Sequence, residues 1–433
     1  MDIEIRDIIV VGGGAAGMMA AAKAAETGCS VTLIEKNSIL GRKVLITGKG
    51  RCNLTNTKKW SEFSTHIHPK SAFFKSAFYN FSNTATIEYF NNIGLPTVVE
   101  QGERVFPESM RSQDVSDILL SRLNSLGVEL LYCKDVIKIN KVNEGIFECS
   151  IMDSTEKVFS VRFPTISVSN IYGKAVIIAT GGLSYPITGS TGAGYSFAES
   201  FGHKVNACFP SLTALIPNYY DTKLYGITLN NVGLNLFIDK DLIQMELGEV
   251  KFTEKGIEGA LVYRVSRKAV KALINGQKVE LILDLKPALS IDTLNKRVDR
   301  DLEKLKINSE KINTGKWKML LRELLPVALI DPFISHNKDL TLNNLPVKLK
   351  DWRFGIKTYV GYERAAVTAG GVSQDEIISK SMKSKLVSNL YFAGEVIDLD
   401  GDTGGYNLQI AFSTGSLAGL SAAQQILKSK SKS

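Results

Sequence analysis

The sequence has no CxxC pair, no apolar run long enough to cross a bilayer, no long block of like charge and no internal repeat of 20–50 residues. Each absence removes a class of protein. The five cysteines (Cys29, Cys52, Cys133, Cys149, Cys208) are odd in number and widely spread. That argues against a disulfide framework and a zinc ribbon and fits a reducing compartment. The longest uncharged apolar run, Ile8–Ala22, has 15 residues and is broken by glycines, whereas a membrane span needs about 20. Asp2, Glu4, Arg6 and Asp7 precede it, and a signal peptide opens on a positive segment instead. The expectation is a cytoplasmic protein with no membrane partner. His66 and His68 have no cysteine or acid at ligand spacing, so no metal is expected. The net charge of +8 favours anionic ligands. Without a basic segment interleaved with aromatics, a small-molecule substrate is expected rather than nucleic acid. The Lys-rich tail, 428–433, reads as a solvated chain end. At 433 residues, 44% of them hydrophobic, the chain can bury a sizeable core in two or three domains.

What is present is concentrated first in the opening fifty residues. Ile5–Val11 is a short β-branched run that suits a buried parallel strand. Gly12-Gly13-Gly14-Ala15-Ala16-Gly17 follows at once, then an alanine-rich helix from Met18 to Glu26 closed by Gly28. A second strand, Val31–Ile34, ends at Glu35. This is GxGxxG between a strand and a helix, with an acid beyond the next strand, the arrangement that binds dinucleotides. Gly12 permits the sharp turn, Gly14 lets the backbone approach a pyrophosphate, and Gly17 lets helix and strand pack closely. Ala15 and Ala16 open the helix, whose free amides and partial positive charge suit phosphates. Glu35 can accept from a ribose diol.

Lys36, Leu40-Gly41-Arg42-Lys43 and Gly48-Lys49-Gly50-Arg51-Cys52-Asn53-Leu54-Thr55-Asn56 come next. Glycines, basic residues and amides in this order suit a loop wrapped round a long, phosphate-bearing ligand. The candidate contacts are Lys36, Arg42, Lys43, Gly48, Arg51, Asn53, Leu54 and Thr55. Cys52 has no resolving partner nearby and reads as a buried structural thiol.

Residues 41–56, Gly-Arg-Lys-Val-Leu-Ile-Thr-Gly-Lys-Gly-Arg-Cys-Asn-Leu-Thr-Asn, resemble the signature of the NAD(P)/FAD-dependent oxidoreductases often named for aminoacetone oxidase and 3-dehydro-bile-acid reductase. Arg104-Val105-Phe106-Pro107, Ala179–Pro186, Thr188–Tyr195, Ala393–Asp398 and Gly401–Gln409 extend the likeness over nearly the whole chain. The resemblance implies FAD as cofactor and NAD(P)H as a transient electron donor. It implies that Thr180, Gly181 and Gly182 lie near the isoalloxazine–ribityl side. Gly394 and Glu395 would hold the ribityl chain or pyrophosphate, and Asp402 would lie close to the flavin. Gly405, Tyr406, Asn407 and Leu408 would open a last helix, Ile410–Ile426, with its amides toward the flavin N1–O2 edge. Val136, on an expected strand Leu130–Ile139, would meet adenine through its backbone. No catalytic residue is assigned; Tyr185, His203 and Tyr406 are proton-donor candidates by residue type and motif proximity only.

The expected fold is α/β, a discontinuous Rossmann-type FAD-binding domain (1–204 and 351–433) with an inserted β-barrel-like and helical substrate domain (205–350). Relatives often carry FTHxGxSGP in that insertion. Here it reads Phe252-Thr253-Glu254-Lys255-Gly256-Ile257-Glu258-Gly259-Ala260, so no role of that histidine transfers. With a single GxGxxG, NAD(P)H has no Rossmann domain of its own. The implied activity is hydride transfer through flavin N5, an NAD(P)H-linked reduction of an activated C=C such as that of a 3-oxo-4-ene or diene steroid (bile) acid. The alternatives are oxidation of a small amino-ketone such as aminoacetone, and a non-catalytic or tRNA-linked flavoprotein. A monomer or homodimer is expected.

Overall fold

The computed structural model describes residues 4–143, 145–154, 168–307 and 312–431. Lys432 and Ser433 of the basic tail lie outside the described residues. The chain divides into one unit of Met1–Phe209 with Ala366–Ser433 and a second of Pro210–Ala365.

In the first unit, β1 (Ile5–Val11) is the centre of a parallel sheet. Ile8 pairs with Val31 of β2 (Val31–Ile34) on one side and with Ala175 of the strand Val168–Ile178 on the other. Leu390–Phe392 and Glu129–Leu131 extend the sheet in parallel at the two ends of this core. Ile8, Ile9 and Val10 are fully buried, as expected of a parallel sheet covered on both faces. Helix α1 (Ala15–Ala25) returns from β1 to β2. The closing helix, Tyr406–Lys430, lies against it. A Cβ on Gly415 or Gly419 would collide with the carbonyls of Ala16 and Ala20, so small residues on both helices set their close approach.

Three sequence expectations change here. The strand expected over Leu130–Ile139 is two strands, Glu129–Leu131 and Lys134–Asn143. Cys133, at φ +54, turns the chain between them, and the second runs antiparallel to Ile146–Asp153. The closing helix opens at Tyr406 as expected but continues to Lys430, beyond Ile426. Lys430 is not simply solvated: its Nζ lies 2.7 Å from Asp7 Oδ2 on β1.

The second unit is a closed six-stranded barrel with helices. The strands run in the order Leu215–Pro217, Gly256–Glu258, Asp241–Thr253, Thr228–Ile238, Val279–Asp284, Trp352–Tyr359. Val232, Leu234 and Leu236 turn inward from the fourth of these and are buried, the alternation a half-buried strand requires, and a bulge between Leu229 and Val232 keeps Leu229 buried as well. Helices Ile291–Leu305, Thr314–Arg322 and Val327–His336 follow the fifth strand. The inserted unit therefore starts at Pro210 and ends at Ala365, not at 205 and 350. The late limit has a physical cause. Trp352–Tyr359 pairs with Val279–Asp284 and closes the barrel. Among the described residues no helix is long and apolar enough to cross a membrane.

Candidate functional site

The strands of a doubly wound sheet end at one edge, and a ligand site forms there where the strand order reverses. In this chain β1 is flanked by β2 and Val168–Ile178, so the reversal lies at its C-terminal end. The Gly12–Gly17 turn occupies that point. Gly12 has φ +104, and a Cβ there would stand 2.6 Å from Ala179 O. A Cβ on Gly17 would run into Gly12 O. Both glycines are required by the protein itself. Gly14 is different: its φ is −79, and a Cβ there would meet nothing within 4 Å. Neither backbone strain nor crowding requires glycine at position 14, so the open space beside it has the character of a ligand cradle. Gly14 also precedes Ala15 at the start of α1, with no side chain capping the helix amides.

Glu35 stands at the tip of β2 and is buried. Its Oε2 accepts from the amide of Gly13 at 2.7 Å, and its Oε1 from the amide and side chain of Asn37. Lys134 donates its backbone N–H to Glu35 O, which brings the strand bearing Val136 to the same tip. The nearby cations have protein partners. Lys36 reaches Thr191 Oγ1 at 2.9 Å and Arg42 reaches Asn37 Oδ1 at 2.8 Å. Arg51 pairs with Glu100 and covers the Phe106 ring. Leu54 and Cys52 are fully buried, and burial pushes the Cys52 thiol up to about 12, as suits a structural thiol. Gly48, at φ +56, turns the chain against Asn53 N.

Gly394-Glu395 follows the strand Leu390–Phe392. Lys43 Nζ lies 2.8 Å from Glu395 Oε2 and donates equally to Ser184 Oγ. Ser184 Oγ and the amide of Thr368 donate to Glu395 Oε1. Burial alone would raise this carboxyl; Lys43, Ser184 and Thr368 outweigh it and hold it below the ordinary glutamate range. Thr368 Oγ1 also accepts the amides of Leu183 and Ser184, fixing the turn after Thr180-Gly181-Gly182.

The opening of the closing helix meets the loop 53–56. Gly405 has φ +98, and a Cβ there would strike Thr55 O and stand 2.9 Å from Asn53 Oδ1. Asn407 clasps Gly401 through both backbone groups, and Leu408 follows in the same turn. Asn53 Oδ1, Thr55 Oγ1 and Thr180 Oγ1 are buried, with no hydrogen-bond partner among the described residues. An unpaired buried polar atom costs on the order of 1–3 kcal/mol. Three such atoms on loops flanking the switch point, together with the open space at Gly14, fit a long polar ligand such as FAD.

Asp402 has a role that local sequence does not reveal. Its Oδ2 accepts from His66 Nδ1 at 2.8 Å and its Oδ1 lies 3.1 Å from His68 Nε2. Burial opposes ionisation, but the two imidazoles hold the Asp402 carboxyl below its ordinary range. The short pairing of Ile67–His68 with Asp400–Gly401 holds the three in place. Among the described residues no cluster is arranged to hold a metal. His203 is buried, with Nε2 at 2.8 Å from Ser384 Oγ and Nδ1 at 3.2 Å from Glu376 Oε2. The partnerships of Thr368, Ser184, His66 and His68 are not visible in the local sequence, since each acts on a residue far away in the chain.

This sheet and turn define a Rossmann-type dinucleotide fold, and the chain is an FAD-dependent oxidoreductase. It belongs to the HI0933-like family: the HI0933-like protein Rossmann domain matches residues 6–421. It is similar to a 3-dehydro-bile acid delta(4,6)-reductase of Clostridium scindens, 29% identical over 423 residues, covering 96% of this chain and 98% of that one. It is also similar to a ribosomal RNA dihydrouridine synthase of Haemophilus influenzae, 30% identical over 429 residues, with 96% and 98% covered. Among solved structures, a quinol–fumarate reductase superposes with a TM-score of 0.50 at 15% identity, over 99% of this chain and 72% of that one. At that identity the likeness concerns the fold alone.

Proposed function

We propose that this protein reduces a carbon–carbon double bond conjugated to a carbonyl, with FAD as hydride carrier and NAD(P)H as donor. The observation that supports the FAD site is Gly14, a glycine that neither backbone strain nor neighbouring protein atoms require. In this reading the Gly12–Gly17 turn and the first amides of α1 face the pyrophosphate, and Glu35 the ribose. Asn53, Thr55 and Thr180 supply the polar partners, and the amides of Tyr406, Asn407 and Leu408 face the flavin. FAD supplies the hydride chemistry; the protein supplies position and charge.

The reaction class draws support from both relatives. The bile-acid reductase is named for saturating double bonds conjugated to a 3-oxo group. Dihydrouridine formation saturates the uracil 5,6 bond, which is conjugated to the 4-carbonyl. In each case the hydride acceptor is an electrophilic carbon conjugated to a carbonyl, the β-carbon of a 4-ene or of uracil and the δ-carbon of a 6-ene. A small cyclic enone, such as a 3-oxo steroid acid, is the first reading of the substrate.

A second reading, a uridine in RNA, is favoured by the charge distribution. The inserted unit has 25 Lys and Arg against 19 Asp and Glu, a net +6, while the rest of the chain has 27 against 25, a net +2. On the helix Ala260–Ile274, Arg264, Arg267, Lys268 and Lys271 recur at helical spacing.

The test is anaerobic. Holoenzyme is bleached with NADPH or NADH and mixed with a 3-oxo-4,6-diene bile acid or with an unmodified ribosomal RNA transcript, and aminoacetone oxidation in air is run alongside. Reoxidation by either conjugated carbonyl is expected. Reoxidation by neither, with aminoacetone consumed, would overturn the reading in favour of the oxidase.

A further inference from the structure

Reducing a conjugated C=C needs a proton as well as a hydride. The hydride adds to the β-carbon, and the π pair moves to the α-carbon and carbonyl as an enolate. A new C–H bond then forms at the α-carbon, with a proton from an acid. NAD(P)H is the terminal reductant, and the balance is C=C plus NAD(P)H plus H⁺ giving CH–CH plus NAD(P)⁺. The acid must lie beside the flavin site, be accessible, and hold a proton where no protein group consumes it.

The trio of His66, His68 and Asp402 meets those conditions. An ionised Asp402 can only accept, so the rings donate to it from His66 Nδ1 and His68 Nε2. The tautomers are thereby fixed, and the exchangeable proton of each imidazolium sits on the opposite nitrogen, His66 Nε2 or His68 Nδ1. Neither nitrogen has a partner among the described residues. The side chains are 31% and 26% exposed, so neither ring is sealed in the core. In its imidazolium form either ring would offer the proton on that opposite nitrogen, with the Asp402 carboxylate as its counter-charge.

Its placement is equally defined. His66 stacks on Tyr406, with centroids 4.5 Å apart, and Tyr406 is the first residue of the closing helix. Asp402 is three residues before Gly405, which abuts the unpaired Asn53 Oδ1. The charged neighbours are few. Glu62 faces His66 and is paired with Lys58. Asp400 is in register with His68. Lys70, two residues past His68, is taken by Asp375.

We propose that His66 and His68 are the proton source for the α-carbon, with Asp402 as the positioning residue that fixes which nitrogen carries the proton. The assignment rests on the double-bond reductase reading above. His66→Gln, His68→Gln, the double variant and Asp402→Asn are compared with wild type as holoenzymes, with flavin content and melting temperature as folding controls. Bleaching by NAD(P)H, a half-reaction that uses no such acid, is measured alongside so that any loss at the flavin itself is read separately. Reoxidation by the enone should slow by about a hundredfold in the double variant. In D₂O, the face selectivity of deuterium at the α-carbon should be lost.

A second readout needs no turnover. p-Chlorophenol, whose phenolate mimics a planar enolate, is titrated into oxidised holoenzyme and followed by its long-wavelength absorbance with flavin. Wild type should bind it as phenolate, and the histidine variants at least about tenfold more weakly, the loss of one charge-assisted hydrogen bond. Unchanged phenolate affinity and unchanged deuterium selectivity in the double variant, with wild type still reducing the enone, would overturn the proton-source assignment and leave the reductase reading intact. Wild type that reduces no conjugated double bond would overturn the reductase reading, and the assignment with it.

Discussion

Lys43 Nζ and Glu395 Oε2 lie 2.8 Å apart although 352 positions separate them in the chain. Their side chains are 23% and 18% exposed. The pair ties the segment after β2 to the turn after Leu390–Phe392, and Ser184 and Thr368 complete it. Glu395→Gln removes the charge and leaves the lysine without its counterion. A loss of about 1–3 kcal/mol is expected, read as a lower melting temperature. The folded carboxyl lies below its ordinary range, so its contribution is full above the ordinary value of 4.5 and is lost as pH falls through the depressed one. The melting temperature of Glu395→Gln should therefore approach that of wild type in strong acid.

Asp7 gives a second acid-sensitive contact. Burial would raise its carboxyl, but Lys430 and Lys174 hold it at about 2 against an ordinary 3.8. Its side chain is 6% exposed, so the difference corresponds to about 2 kcal/mol. That stability is complete above pH 3.8 and disappears as the pH falls through 2. Asp7→Asn should lose about this much at pH 7, and Lys430→Met a part of it, both read by chemical denaturation.

The cysteines should separate by reactivity. Burial pushes the thiols of Cys52 and Cys149 to about 12, and both are fully buried. Cys133 is partly exposed. Iodoacetamide at neutral pH should label Cys133 in the native protein and leave Cys52 and Cys149 unlabelled until the chain is unfolded, as read by peptide mass mapping.

Glu35 braces the glycine turn as well as facing the proposed ribose. Glu35→Ala leaves the Gly13 amide without its acceptor. Weaker FAD retention is expected together with a loss of about 1–3 kcal/mol in stability. Equilibrium dialysis of FAD and a melt of the same sample measure the two.

The parts of this site that are local in the chain were legible in the sequence. Gly12 and Gly17 are glycines because neighbours within a few residues, or on the adjoining strand, leave no room, and the GxGxxG spacing encodes that. Cys52 read correctly as buried because no second cysteine stands near it. Residues joined across the fold were not legible. Asp402 meets His66 and His68 across more than 330 positions, a distance that ligand spacing along the chain does not reach. Thr368 was invisible for the same reason. The expected strand Leu130–Ile139 failed on one residue, since apolar pattern does not report the positive φ of Cys133. The insertion's end was placed early because Trp352–Tyr359 alternates like any strand, and only pairing assigns it to the barrel.

The central claim is that a flavin dinucleotide lies against the backbone at Gly14, and the most direct measurement is the FAD content of Gly14→Val beside its melting curve. The backbone there accepts a side chain, with φ −79 and no atom within 4 Å of the new Cβ. A colourless protein that melts like FAD-stripped wild type is the predicted result. Gly14→Val protein that keeps one FAD per chain would contradict the account.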